Sequence, residues 1–152
     1  MRHRKLPRDL STAVLAANPE RREHAMERFF WICLAGALGT GTRYLVGLWA
    51  NQRLGGHFPY GNLIVNVAGC FLIALVMQTA LDVTSFPPTL RLALTTGFLG
   101  GLTTYSSFAY ETTFMAQDGA RGAAMLIFGA TTAVCFAAVL LGQAAARLIT
   151  GA

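Results

Sequence analysis

The sequence predicts an all-α membrane protein with four transmembrane helices, and three observations carry that prediction. Of its 152 residues, 54% are hydrophobic and only 12% are charged, a balance that suits a chain solvated by lipid rather than water. Four apolar stretches, at about 29–50, 61–81, 89–116 and 122–148, each approach or exceed the roughly 20 residues a helix needs to cross the hydrocarbon core. The connections NQRLGGHFPY, DVTSFPP and QDGAR are short and carry Gly, Pro, Asp and Asn, which end helices and make consecutive spans antiparallel neighbours.

Residues 1–28 differ in kind and are expected to form a polar tail, disordered or lying on a surface, ahead of one four-helix unit at 29–152. The tail carries seven of the twelve basic residues (Arg2, Arg4, Lys5, Arg8, Arg21, Arg22 and Arg28) together with four acids. That dilution by acids, with no interleaved aromatic residues to stack on bases, argues against nucleic-acid binding. No apolar run with a small-residue cleavage site precedes the first span, so no cleaved signal peptide is expected. Arg21, Arg22 and Arg28 favour a cytoplasmic N-terminus. Arg91 and Arg147 would join them, while Arg53 and Arg121 would lie opposite, so the four-helix body alone is balanced and compatible with insertion either way round.

On the first span, Gly36, Thr40, Arg43 and Gly47 share one face, where small residues allow close helix approach. Arg43 lies well inside the apolar stretch and requires protein, water or a counter-ion, or else must snorkel to the interface. The second span places Asn62, Asn66, Gly69 and Ile73 on one face, which must point inward because an amide in lipid needs partners. Inter-helix bonding accounts for Asn62, whereas the deeper Asn66 is a candidate lining residue. On the fourth span Thr131 and Cys135 share a face, and Gly129, Ala133 and Ala137 form a separate packing stripe. Cys33, Cys70 and Cys135 each fall within an apolar stretch without CxxC spacing and read as small hydrophobes, with neither disulfide nor metal site expected.

The third span contains GFLGGLTTYSSF, residues 97–108. Each of its three glycines costs a helix about 1 kcal/mol relative to alanine. Two readings follow. Gly97 and Gly101 have the spacing of a close-packing face. Alternatively the helix breaks, which membrane depth tolerates only where freed backbone groups are buried in protein or line a polar site. Close packing does not require Thr103, Thr104, Ser106 and Ser107, so a break near the middle is expected.

Catalysis is not expected. Beyond the tail the acids are Asp82, Glu111 and Asp118, with no paired-carboxylate pattern, no His-Glu zinc pattern and no phosphate-cradling loop. The polar residues within the spans are mostly neutral donors, which suits passage of a solute.

Three motifs resemble the CrcB/Fluc family of fluoride channels: GALGTGTRY (36–44), FPYGNLIVNVAG (58–69) and GFLGGLTTYSSFAYE (97–111). They occur in that order, and the resemblance spans essentially the whole four-helix body, residues about 29–148. The resemblance implies fluoride export down its gradient through a multi-pass protein of the cell (inner) membrane. It also implies a dual-topology homodimer, two antiparallel copies with two pores, around a structural sodium ion on the main-chain carbonyls of Gly100 and Thr103. It places Tyr105 and Phe108 as rings presenting their edges to fluoride, with Asn66 as a pore hydrogen-bonding group. Thr104, Ser106, Ser107 and Thr131 would supply a hydroxyl track, Glu111 a pore-mouth acid and Arg43 a vestibule arginine. Tyr105 stands where the family has phenylalanine, while Asn62 and Ser107 stand where it has threonine. The competing expectations are a small dimeric multidrug or proton-coupled exporter, which would be expected to embed an acid, and a membrane scaffold, which leaves the Thr/Ser cluster unexplained.

Overall fold

The computed structural model describes residues 19–55 and 58–151. Arg2, Arg4, Lys5, Arg8 and His57 lie outside the described residues. The first helix, α1 (Pro19–Leu54), starts ten residues earlier than the apolar stretch, so that residues 19–28 of the expected tail are helical. Ala25, Met26 and the Arg and Glu residues around them are good helix formers, and His24 lies 3.8 Å from Glu27 one turn away. At 1.5 Å per residue α1 is about 54 Å long against a hydrocarbon core of about 30 Å. Its charged start therefore has no need to enter lipid.

Helix α2 (Tyr60–Asp82) and helix α6 (Arg121–Thr150) match the second and fourth apolar stretches within two residues at each end. Along with α1 they are the three described helices long and apolar enough to cross a membrane. The third stretch comprises α3 (Pro88–Leu92), a π-helical segment (Ala93–Leu99), the single turn α4 (Gly100–Leu102) and α5 (Tyr105–Gln117). No strand occurs among the described residues.

Glycine determines how closely these elements approach. Gly97 lies against Ala35 and the Ile32 carbonyl, and a Cβ there would come within 2.8 and 2.9 Å of them. A Cβ at Gly39 would collide with the Phe98 carbonyl, and one at Gly101 with the Gly36 carbonyl. These contacts advance together along both chains, so α1 and the third segment run parallel. Helices α2 and α6 form a second parallel pair: a Cβ at Gly142 would collide with the Phe71 carbonyl, and at the far end Thr150 Oγ1 donates to Asp82 Oδ2 at 3.0 Å. Gly61 against Gly47 brings the start of α2 onto α1.

The small apolar core, Val65, Leu99 and Leu102 with Val46, Leu72 and Phe98 around it, sits where α1, α2 and the third segment meet. Large side chains such as Leu38, Leu45, Met125, Leu126 and Leu140 are exposed along α1 and α6. Such a surface would drive aggregation in water but is the ordinary exterior of a helix bathed in lipid.

Replacing Gly39 or Gly101 by alanine should therefore destabilise the purified protein by about 1–3 kcal/mol, the usual range for overpacking. Gly129→Ala, at a position with nothing within 4 Å of the added Cβ, should leave the unfolding temperature in detergent unchanged or slightly raised.

Candidate functional site

The site is organised by two consecutive threonines. Thr103 (φ −82°, ψ 155°) and Thr104 (φ −151°, ψ 119°) are extended, while Gly100 and Gly101 remain helical. The residues that leave helical space are therefore the ones following the glycines. A non-helical peptide at this depth needs replacement partners, and Asn66 of α2 supplies them. Its Oδ1 accepts from the Thr104 N–H at 2.8 Å, and its Nδ2 donates to the Thr104 carbonyl at 3.0 Å. One side-chain amide thus pairs with both polar groups of one residue, as a neighbouring β-strand would. Three residues on, the same face of α2 presents Gly69, where a Cβ would collide with Thr103 Cγ2. Asn66 holds one threonine and Gly69 makes room for the other.

Thr104 also begins α5. As N-cap its Oγ1 accepts from the Ser107 N–H at 3.2 Å, and it lies 3.1 Å from Ser107 Oγ and 3.3 Å from Ser106 Oγ. These bonds alter the backbone accounting. In an uninterrupted helix Thr104 N–H would serve the Gly100 carbonyl, and Ser107 N–H the Thr103 carbonyl. Both donors are directed elsewhere, so both carbonyls lose their helical partners. Thr103 N–H and Oγ1 each bond the Leu99 carbonyl at 3.0 Å, and the Gly101 carbonyl receives only a long 3.5 Å contact from Thr40 Oγ1.

Asn66, Gly100, Thr103, Thr104, Tyr105, Phe108 and Thr131 line one cavity of about 380 Å³, which also touches Cys70, Thr132 and Cys135. Phe108 is 4% exposed. Its ring lies nearly parallel to that of Phe128 (centroids 6.0 Å apart, planes 14°), with the Tyr105 ring tilted at 6.1 Å on another side. Tyr105 itself is 72% exposed on this single chain. Most hydroxyls at the cavity are already committed: Thr103 to Leu99, Thr104 to its cap, and Thr132 to the Phe128 carbonyl at 2.7 Å. Thr131, only 5% exposed, has no protein partner among the described residues. Asn66 retains the second of its two amide hydrogens.

Arg43 and Glu111 fall in a different place. They line a smaller cavity of about 90 Å³ with Asn51 and Asn62, where Asn62 Nδ2 donates to Glu111 Oε2 at 2.6 Å and ties α2 to α5. Ser106 and Ser107 do not reach the main cavity and belong to the α5 cap. Residues missed in the sequence include Phe128, whose ring lies nearly parallel to that of Phe108, and the shared place of Cys70 and Cys135 in the cavity wall. Neither has a sequence signal, because both depend on the register between helices, which spacing within one helix does not encode.

Helices long and apolar enough to cross a membrane, around a largely apolar cavity into which a few polar groups open beside a non-helical backbone, define a multi-pass membrane protein of the solute-conducting class. Residues 30–143 match the family described as "CrcB-like protein, Camphor Resistance (CrcB)", and the chain belongs to that family. It is 49% identical over 117 residues to the fluoride-specific ion channel FluC of Acidobacterium capsulatum, covering 76% of this chain and 93% of that protein. Identity is 46% over 127 residues to the FluC protein of Sorangium cellulosum (83% and 100%) and 48% over 116 residues to that of Geobacter metallireducens (76% and 94%).

The bonding pattern ranks two substitutions. Asn66→Leu leaves a buried N–H and C=O unpaired, each costing about 1–3 kcal/mol, whereas Thr104→Val removes a cap worth about 1 kcal/mol. The unfolding temperature in detergent should fall more for Asn66→Leu, and the reverse order would remove Asn66 from its backbone-pairing role.

Proposed function

We propose that this protein is a fluoride-selective channel that lets fluoride leave the cell down its electrochemical gradient and so limits its toxicity. The observation that carries the reading is a cavity beside the Asn66-held threonines in which Thr131 and one Asn66 hydrogen remain free to donate. Fluoride is small and strongly hydrated, and a bare anion at membrane depth is unfavourable unless donors replace its water. Aromatic ring edges carry partial positive charge while faces are negative. Phe108 lies nearly parallel to Phe128 and lines the cavity, its edge is suited to meet the anion, and Tyr105 offers a second ring together with its hydroxyl. The names of the relatives, fluoride-specific ion channels over most of this chain, support the same ion.

The segment from α3 to α5 then acts as one interrupted span, the third crossing in chain order, which joins α1, α2 and α6 to make four. The working unit is an antiparallel dual-topology homodimer. In it, Tyr105, exposed in one copy, is covered by the other, and Gly100 and Thr103 of both copies contribute four carbonyls to a structural sodium ion. Carbonyl oxygen is a suitable donor for a hard cation, and these two carbonyls are among those freed where α4 ends. When bound, the ion would supply a fixed positive charge that draws the broken segments together. Arg43 and Glu111 form the polar vestibule, with Ser106 and Ser107 supporting the cap that positions Thr104. A proton-coupled exporter is less well supported, because no acid lines the main cavity and Glu111 is engaged by Asn62.

Liposomes containing the purified protein should release fluoride and not chloride when potassium and valinomycin clamp the potential. Phe108→Ile should suppress that release with the dimer intact. Thr131→Val should slow it about tenfold or more, the effect of one hydrogen bond to a charge at about 1.5–3 kcal/mol. Equal chloride flux would defeat the channel reading, and unchanged flux in both variants would move the path elsewhere.

A further inference from the structure

We propose that Cys70 and Cys135 form a two-thiol site for a soft, two-coordinate cation in the wall of the main cavity, and that occupation of this site closes the cavity to the ion. The blocking half of the proposal rests on the channel reading; the binding half does not.

Cys70 belongs to α2 and Cys135 to α6, which run parallel in a register marked by Gly142 against Phe71 and Ala74 and by Thr150 bonded to Asp82. Those contacts pair residues 68–71 positions apart, so Cys135, 65 positions from Cys70, lies about one helical turn from the position directly beside it, on neighbouring helices. Both cysteines line the cavity of about 380 Å³ shared with Asn66, Phe108 and Thr131. Cys33, on the exposed surface of α1, is the remaining cysteine in the chain and takes no part.

The donor set decides the ligand. No group of three or more His, Cys, Asp or Glu side chains that could hold a metal ion occurs among the described residues, so a four-coordinate zinc centre is not available. Two thiolates, with only neutral amide, hydroxyl and ring groups around them, suit a soft d10 cation that accepts two sulfur ligands, such as Hg(II) or Cu(I). On binding from mercuric chloride, each thiol loses its proton, two sulfur–mercury bonds replace two mercury–chloride bonds, and two protons and two chloride ions leave through the cavity. With Hg(II) the product is a neutral bis-thiolate, whose bulk would lie beside the Phe108 ring without repelling or attracting an anion by net charge. Any block would therefore be steric.

The test uses the full chain carrying Cys33→Ser, so that these two thiols alone remain. With mercuric chloride as the probe, titration should give one mercury per chain with both thiols lost to a thiol reagent. The single substitutions Cys70→Ala and Cys135→Ala should release mercury at about a hundredfold lower concentration of competing glutathione, the usual scale for losing one of two linked contacts. Two mercuries per chain, or single variants that hold the metal as firmly as the parent, would overturn the site. The stoichiometry is read on the Cys33→Ser parent, whose one change lies on the exposed surface of α1, and needs neither cavity-wall variant to fold. In liposomes, one bound mercury should abolish fluoride release, and release at the full rate with the metal bound would overturn the blocking claim. Binding as predicted by a protein that releases no fluoride even when untreated would instead count against the channel reading and leave the site standing.

Discussion

The bond pair between Asn66 and the Thr104 peptide is the interaction on which the rest of the structure depends. A backbone that leaves helical geometry within lipid must replace two hydrogen bonds at every such residue, and water is not there to help. Asn66 replaces both at Thr104 from a single side chain. Once it does, α5 can begin anew with its own cap, so that its first N–H groups and the positive end of its dipole lie close to the cavity. The same diversion of donors strips the helical partners from the Gly100 and Thr103 carbonyls. One amide on α2 therefore underlies both the donor-rich end of α5 and the acceptor-rich end of α4.

Gly69 complements it sterically. The extended Thr103 would meet any side chain at that position, so Asn66 and Gly69, three residues apart on one face of α2, act as a matched bond and vacancy for the two threonines. The remaining close approaches use glycine for a different purpose. Gly39, Gly97 and Gly101 bring α1 against the third segment, and Gly142 brings α6 against α2. In lipid there is little hydrophobic drive to press apolar helices together, so such backbone contacts and the dispersion they allow carry much of the assembly.

The helical class and three long spans were legible in composition and run length, because a segment of 20 or so apolar residues has few alternatives in a bilayer. The inward face of α2 was also legible, since Asn62, Asn66 and Gly69 fall at helical spacing. Its partners were not: that Asn62 would meet Glu111, and Asn66 the main chain of Thr104, depends on register between helices, which spacing within one helix does not encode. For GFLGGLTTYSSF an interruption was expected in preference to a packing face, and the glycines and threonines divide the two roles, Gly97 and Gly101 packing against α1 while Thr103 and Thr104 turn extended. The start of α1 was misplaced because hydropathy registers where a helix enters lipid, whereas propensity and charge spacing govern how far it continues in water. The resemblance put Ser106 and Ser107 on a hydroxyl track with Thr104 and Thr131, and within this chain their hydroxyls lie against Thr104 Oγ1 at the α5 cap.

Amide hydrogen exchange at Thr104, in the protein reconstituted in lipid, tests the central claim most directly. Although it belongs to no helix, that N–H should exchange as slowly as those of the flanking helical segments, and Asn66→Leu should release it without loosening the rest of α2. A Thr104 amide that exchanges as fast as an open loop in the unaltered protein would contradict the account.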